Sequence, residues 1–254
     1  MTQQPDDPTD QPDRATQQPA AAPARLPDGC DADGRVTGTR AVLLVDPGPA
    51  LGSARTSEVP VHVVCTDAAA LAALAGQRPD AGGTLFVHAS VPVEPDEPST
   101  PAETVHGWPV RRVHTAATTD LGGLVVDVVH VGAAHGPDNL VVAVRAVDER
   151  GRPRRDVPPV VYTGLMVNDT ALADPDDPIT DELTRTHEQM RAWADSLDLV
   201  CGLLGGEGLA VTRAGTIHPQ AQVDAQRVAR LQAAGSSGTG RVGMPPPDWQ
   251  LPLA

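Results

Sequence analysis

The chain has 254 residues, enough for one or two domains with a sizeable core. Its 33 acidic side chains outnumber 19 basic ones, all arginine, giving a formal charge of −14. That balance excludes a basic tail or arm as a source of phosphate affinity. With three Trp, one Tyr and one Phe, the core must be built from Val, Leu and Ala.

Residues 1–29 are rich in Gln, Pro, Asp and Ala and have little to bury, so they read as a disordered tail. The opening MTQQPDDPTDQPD lacks the basic and apolar regions of a secretory signal. From Val36 to Val131 come short β-type segments: VTGTRAVLLV, VPVHVVC, GTLFVHASV, PVRRVHT and GLVVDVVHV. VPVHVVC, LFVHASV and LVVDVVHV alternate with period 2 and present one apolar face. Asp46-Pro47-Gly48, Gly82-Gly83, Gly122-Gly123 and Gly132 supply turns between them. A small Ala-rich helix, DAAALAALAG, separates the second segment from the third, and residues 93–105 form an acidic, Pro-rich loop. A further hairpin runs from Leu140–Val147 to Val157–Val167. Residues 30–168 therefore read as one β domain.

Residues 178–235 read as a helix–short β–helix module. Thr180 is placed to cap a helix whose Leu183, His187, Met190, Ala194, Leu197, Cys201 and Leu204 follow 4-3 spacing, a seam suited to self-association. Gly205-Gly206 ends it. LAVTRAGTIH turns at Ala214-Gly215, and Pro219 opens a second helix that stops at Gly235. Residues 236–254 read as a flexible tail. No apolar run approaches the ~20 residues a membrane span needs. Cys30, Cys65 and Cys201 match no zinc spacing and are odd in number, which points to a reducing, cytoplasmic compartment.

The order of a strand ending VVCTD, the helix AAALAALAG and the strand from Gly83 to Val91 resembles the single-stranded-DNA-binding protein family over about residues 35–135. The resemblance implies an OB-like five-stranded β-barrel, so the expected fold is mainly β with a C-terminal helical hairpin. The stretch EGLAVTRAGTIHPQ resembles the C-terminal segment of a family of phage terminase small subunits over about residues 180–235. Gly208, Leu209, Val211, Thr212, Gly215, His218 and Pro219 carry that likeness. Together the two imply a phage or mobile-element context.

Candidate chemistry is sparse. His62, His88, His114 and His130 fall one per strand. No HxH or HxxxH spacing ties any pair, so each reads as lying singly on a wet face, with no metal expected. There is no G-x-S-x-G, P-loop or G-x-G-x-x-G sequence, so no enzyme, catalytic residue or cofactor is expected. Single-strand binding needs stacking platforms and a cationic groove. Trp108, Phe86, Arg40, Arg55, Arg111 and Arg112 are the candidates, with Trp108, Arg111 and Arg112 clustered. The expected function is that of a non-enzymatic, oligomeric accessory protein of DNA metabolism that binds single-stranded DNA weakly. The alternatives are a protein–protein interaction scaffold or a DNA-packaging component, partnered by a replication or packaging protein.

Overall fold

Four of the early apolar segments, around Val42, Val61, Leu85 and Trp108, pair in parallel, and this decides the architecture. In the computed structural model, which describes residues 25–48, 58–75, 77, 82–92, 104–132, 136–169 and 186–235, β1 (Arg35–Thr37) and β2 (Val42–Val45) make an antiparallel hairpin. β3 (Val61–Val64), β4 (Leu85–His88) and β6 (Trp108–Val113) then add in parallel, and β5 (Thr104–Val105) pairs antiparallel with β6 at the edge. This first sheet has the order β1-β2-β3-β4-β6-β5. The connection from β3 to β4 carries α1 (Ala68–Ala73), as parallel neighbours require a crossover.

The second sheet begins as an antiparallel meander of β7 (Ala116–Asp120), β8 (Leu124–His130), β9 (Leu140–Ala146) and β10 (Val160–Gly164). After α2 (His187–Leu204) the chain returns to the same sheet. β11 (Leu209–Thr212) lies parallel to β10, and β12 (Ile217–Pro219) turns back antiparallel before α3 (Gln220–Ala233). The order is β12-β11-β10-β9-β8-β7.

Three apolar layers hold the two sheets and three helices together. Between the sheets, Leu43, Val45, Val64 and Phe86 meet Val126, Val128, Val142, Val144, Val160 and Tyr162. On the outer face of the first sheet, Val42, Leu44, Val63, Leu85 and Trp108 bury Leu71 and Leu74 from α1 and the residue after it. On the outer face of the second, Val141, Ala143, Val161 and Ala210 pack against Trp193, Leu197, Val200 and Leu204 of α2 and Val223 of α3. The molecule is a four-layer sandwich in the order helix, sheet, sheet, helices.

No closed barrel forms among the described residues, so the OB-like five-stranded barrel is corrected to two six-stranded sheets. The physical reason is burial on both faces. β2 and β4 are buried at every position, as parallel strands covered on both sides must be, where a barrel strand would alternate. The helical hairpin is corrected too: the β segment between the helices is part of the second sheet, and the α2 seam packs on that sheet within the chain. The α2 cap is Thr186, whose hydroxyl accepts from the Gln189 N–H while the Gln189 side chain accepts from the Thr186 N–H. Thr180, Arg55, loop residues 93–103 and most of both tails lie outside the described residues. No described helix is long and apolar enough to cross a membrane.

Phe86 is 2% exposed between the sheets. Phe86→Ala is expected to lower unfolding stability by about 4 kcal/mol, measured by denaturant titration.

Candidate active site at the strand-end edge

The carboxyl ends of β2, β3, β4, β10 and β11 come out at one edge of the sandwich, and polar side chains gather there. Asp46 follows β2 with φ 47°, a left-handed conformation that turns its carboxylate under the strand ends. Its Oδ1 accepts from the Thr66 N–H at 2.7 Å, and its Oδ2 accepts from the Thr66 hydroxyl at 2.6 Å. Asp67 caps α1, with Oδ1 accepting from the Ala70 N–H at 2.8 Å.

Arg213, just past β11, reaches across from the second sheet to this pair. Its Nε and Nη2 donate to Asp46 Oδ2 at 3.0 and 2.9 Å, and Nη2 also donates to Asp67 Oδ2 at 2.6 Å and to the Thr66 hydroxyl at 2.9 Å. The backbone prepares this approach. The Arg213 N–H donates to the Gly164 carbonyl, and the Leu140 N–H at the start of β9 donates to the Thr66 carbonyl. A Cβ on Gly164 would lie 2.5 Å from the Thr66 hydroxyl, so only glycine lets β10 come so close. Asp138 Oδ2 accepts from the Ala68 N–H at the start of α1.

The charges at this cluster are held against burial. Burial disfavours the Arg213 cation, but the Asp46 and Asp67 carboxylates outweigh it and hold its pKa above the ordinary value. Burial pushes the Asp46 carboxyl above its ordinary value, although Arg213 and Thr66 pull it down.

A second cluster lies beside the first. Continuing the β3–β4 register by two residues sets His88 next to Thr66. The His88 ring is stacked on His130 from β8, with centroids 4.1 Å apart and planes tilted by 33°. The Val91 N–H closes a tight turn onto the His88 carbonyl. Within the turn, Ser90 is exposed and its Oγ lies 2.7 Å from His88 Nδ1. The Ser90 N–H points at the same nitrogen at 3.3 Å, which leaves Nδ1 as an acceptor and puts the ring proton on Nε2. Arg112 donates from Nη1 to the carbonyls on either side of Ser90, Ala89 at 3.1 Å and Val91 at 2.9 Å. Burial of His88, together with the neighbouring His130 and His114, depresses its pKa; Asp138 acts in the opposite sense.

The residues chosen for strand binding are scattered. Trp108 is 1% exposed in the outer core of the first sheet, with its indole N–H donating to the Gln77 carbonyl. Phe86 is in the inter-sheet core. Arg111 lies 5.6 Å over the Phe86 ring and donates to the Thr118 carbonyl. Arg40 is exposed and pairs with Asp120. Among the described candidates, Arg112 alone lies at the strand-end edge, where it clamps the Ser90 turn. The histidines also depart from the sequence reading. His88 and His130 meet, and His62 sits edge-on to Phe86 at 6.1 Å. Sequence reasoning missed Asp46, Thr66, Asp67, Ser90 and Arg213. Asp46 was hidden in a turn signal, and Ser90 lies in no recognised nucleophile motif.

No family model and no curated protein matches the chain. Solved structures of metallo-beta-lactamases are similar to it. One from Pontibacter korlensis is 18% identical, with a TM-score of 0.49 over 78% of this chain and 85% of that one. The TMB-1 structure is 14% identical, with a TM-score of 0.47 over 79% and 84%. The SMB-1 structure with mercaptoacetic acid is 15% identical, with a TM-score of 0.45 over 79% and 88%.

The two six-stranded sheets, one of which takes in the segment between α2 and α3, overturn the likeness to single-stranded-DNA-binding proteins and to terminase small subunits, and with it the phage or mobile-element context. The DNA-accessory function and its scaffold and packaging alternatives rested on the barrel and the helical joint, and the expectation of no enzyme rested on the absence of familiar catalytic motifs. The two-sheet architecture removes both the barrel and the joint, and the Ser90–His88 contact overturns the expectation of no enzyme.

The described residues do not fit a bound metal ion. Among the described residues, no group of three or more His, Cys, Asp and Glu side chains is placed to hold one. The two carboxylates that converge, Asp46 and Asp67, already share the Arg213 guanidinium. The stacked rings of His88 and His130 do not converge on a point, and His88 Nδ1 is taken by Ser90.

Removing one partner of a buried ion pair leaves an uncompensated charge. Arg213→Met is expected to cost about 3 kcal/mol at pH 8 by denaturant titration. The loss should shrink as pH falls. Asp46 has a raised pKa in the folded protein, so its ionised form is the destabilising one, and protonation below that pKa relieves it.

Proposed function

We propose that the protein is a metal-independent, serine-dependent hydrolase-like enzyme acting at the strand-end edge, with Ser90 as nucleophile and His88 as general base. The observation that carries this reading is the 2.7 Å contact between an exposed Ser90 hydroxyl and Nδ1 of the buried His88. A depressed His88 pKa keeps the imidazole unprotonated at neutral pH, as a base must be.

As Ser90 Oγ forms a bond to a carbonyl carbon, its proton passes to His88 Nδ1. That proton then goes to the leaving group as the bond to it breaks. Water, deprotonated by the same nitrogen, then attacks the acyl carbon; the acyl–Oγ bond breaks, Ser90 Oγ takes that proton back from His88, and the acid is freed. His130 fixes the plane of His88 by stacking, and Arg112 fixes the turn that presents Ser90.

The test is labelling by a fluorophosphonate probe, together with turnover of an aryl acetate ester. Wild-type protein should be labelled on Ser90. Ser90→Ala and His88→Gln should each lose turnover by about a hundredfold or more. Because burial and His130 hold the His88 pKa below its ordinary 6.5, the rising limb of the pH profile should lie below pH 6.5. A chelator should leave turnover unchanged. Unlabelled wild-type protein, or equal labelling of Ser90→Ala, would overturn the reading.

A further inference from the structure

The His88 ring sits in a corner that three chain segments close. Continuing the β3–β4 register sets Thr66 beside it, and the β8–β9 register pairs Leu140 with His130, whose ring stacks on His88. The loop that leads into β9 is tied to both of these neighbours. The Leu140 N–H donates to the Thr66 carbonyl at 2.9 Å, and two residues earlier Asp138 Oδ2 accepts from the Ala68 N–H at 2.8 Å. Neighbouring strands lie about 4.8 Å apart, so these bonds hold the Asp138 carboxylate within about two strand spacings of His88.

The reaction at Ser90 needs a negative charge in this corner. When Ser90 Oγ attacks a carbonyl carbon, its proton moves to His88 Nδ1; with a proton already on Nε2, the ring becomes a cation. Burial and the His130 ring oppose that charge, as does His114, whereas Asp138 is the acid that favours it. Arg112, which clamps the Ser90 turn, is itself positive. Among the described residues Asp138 and the ring share no hydrogen bond, so the carboxylate acts through space on a ring that Ser90 and His130 already orient.

We propose that Asp138 is a positioning residue of the Ser90–His88 pair, a carboxylate fixed by the Ala68 N–H so that the His88 cation forms opposite a negative charge. The inference rests on the hydrolase reading and adds a third member to it, drawn from the approach to β9. The ring is charged only while the proton is in transit, so Asp138 stabilises the transition state more than the resting pair. It lowers the barrier without holding the substrate.

Asp138→Asn keeps an oxygen for the Ala68 N–H and removes the charge. With the aryl acetate ester, kcat should fall about tenfold while KM stays near the wild-type value. The fluorophosphonate should still label Ser90, more slowly. The readout that a merely structural role would not move is the titration of the His88 ring, followed by nuclear magnetic resonance of its Cε1–H and assigned by its loss in His88→Gln. Its midpoint should lie at lower pH in Asp138→Asn than in wild type, because the carboxylate favours the cation. Asp138→Glu, which restores the charge, should bring the midpoint back toward wild type. If Asp138→Asn fails to fold, Asp138→Ser, which can still accept from the Ala68 N–H, supplies the same comparison. A wild-type protein that does not label on Ser90 sinks the hydrolase reading and this inference together. A labelled wild type, with an unmoved midpoint or an unchanged kcat in a folded Asp138 variant, overturns this inference alone.

Discussion

Burial of both sheets on both faces is the constraint from which the rest follows. Val42 and Leu44 face α1, while Leu43 and Val45 face the second sheet, so β2 has no wet side. The same holds for β9, where Val142 and Val144 look inward and Val141 and Ala143 meet α2. A strand in that position cannot tolerate polar groups along its length, and polar chemistry is pushed to the strand ends. With few aromatics to fill volume, the layers are made of Val and Leu, and three of the aromatic anchors each serve a different layer. Phe86 lies between the sheets, Trp108 outside the first and Trp193 outside the second. Each tryptophan settles its indole N–H on a backbone carbonyl, Gln77 for Trp108 and Met166 for Trp193.

The strand-end edge contains two kinds of polar arrangement built on opposite principles. Asp46, Asp67 and Arg213 are charged and satisfied, and they tie the sheets together. His88 and Ser90 are neutral, and they present an exposed hydroxyl to solvent. The β10 bulge between Tyr162 and Gly164 brings the second sheet against Thr66, so the two arrangements share one wall. Stability and chemistry thus draw on neighbouring residues of a single rim.

Much of the secondary structure is legible from residue pattern. Gly205 in the left-handed conformation ends α2, the Ala214-Gly215 turn joins β11 to β12, and Pro219 precedes α3. The pairing was not legible, because VLLV, VHVV and LFVH satisfy a half-buried reading and a fully buried one. The residues that decide between them are histidines that turn inward. His88 is buried, and His62 packs its edge on Phe86. Thr186-His-Glu-Gln189 did carry a capping-box signal for the start of α2, yet the acids after Thr180 gave a competing one. The site was hidden for a different reason. Asp46 and Thr66 are 20 residues apart, and Arg213 is 146 residues beyond Asp67. No local spacing rule connects groups that meet only after two sheets have stacked.

The same separations bear on how the chain reaches this form. The β7–β10 meander and the β3–α1–β4 unit close over short stretches, and each can organise while the other is still loose. Arg213 cannot meet Asp46 until the chain has passed through α2, entered β11 and set the second sheet over the first. The ionic clasp is therefore a late contact whose loop-closure cost is met by the apolar layers already in place. Losing it would mainly hasten unfolding and leave the folding rate nearly untouched.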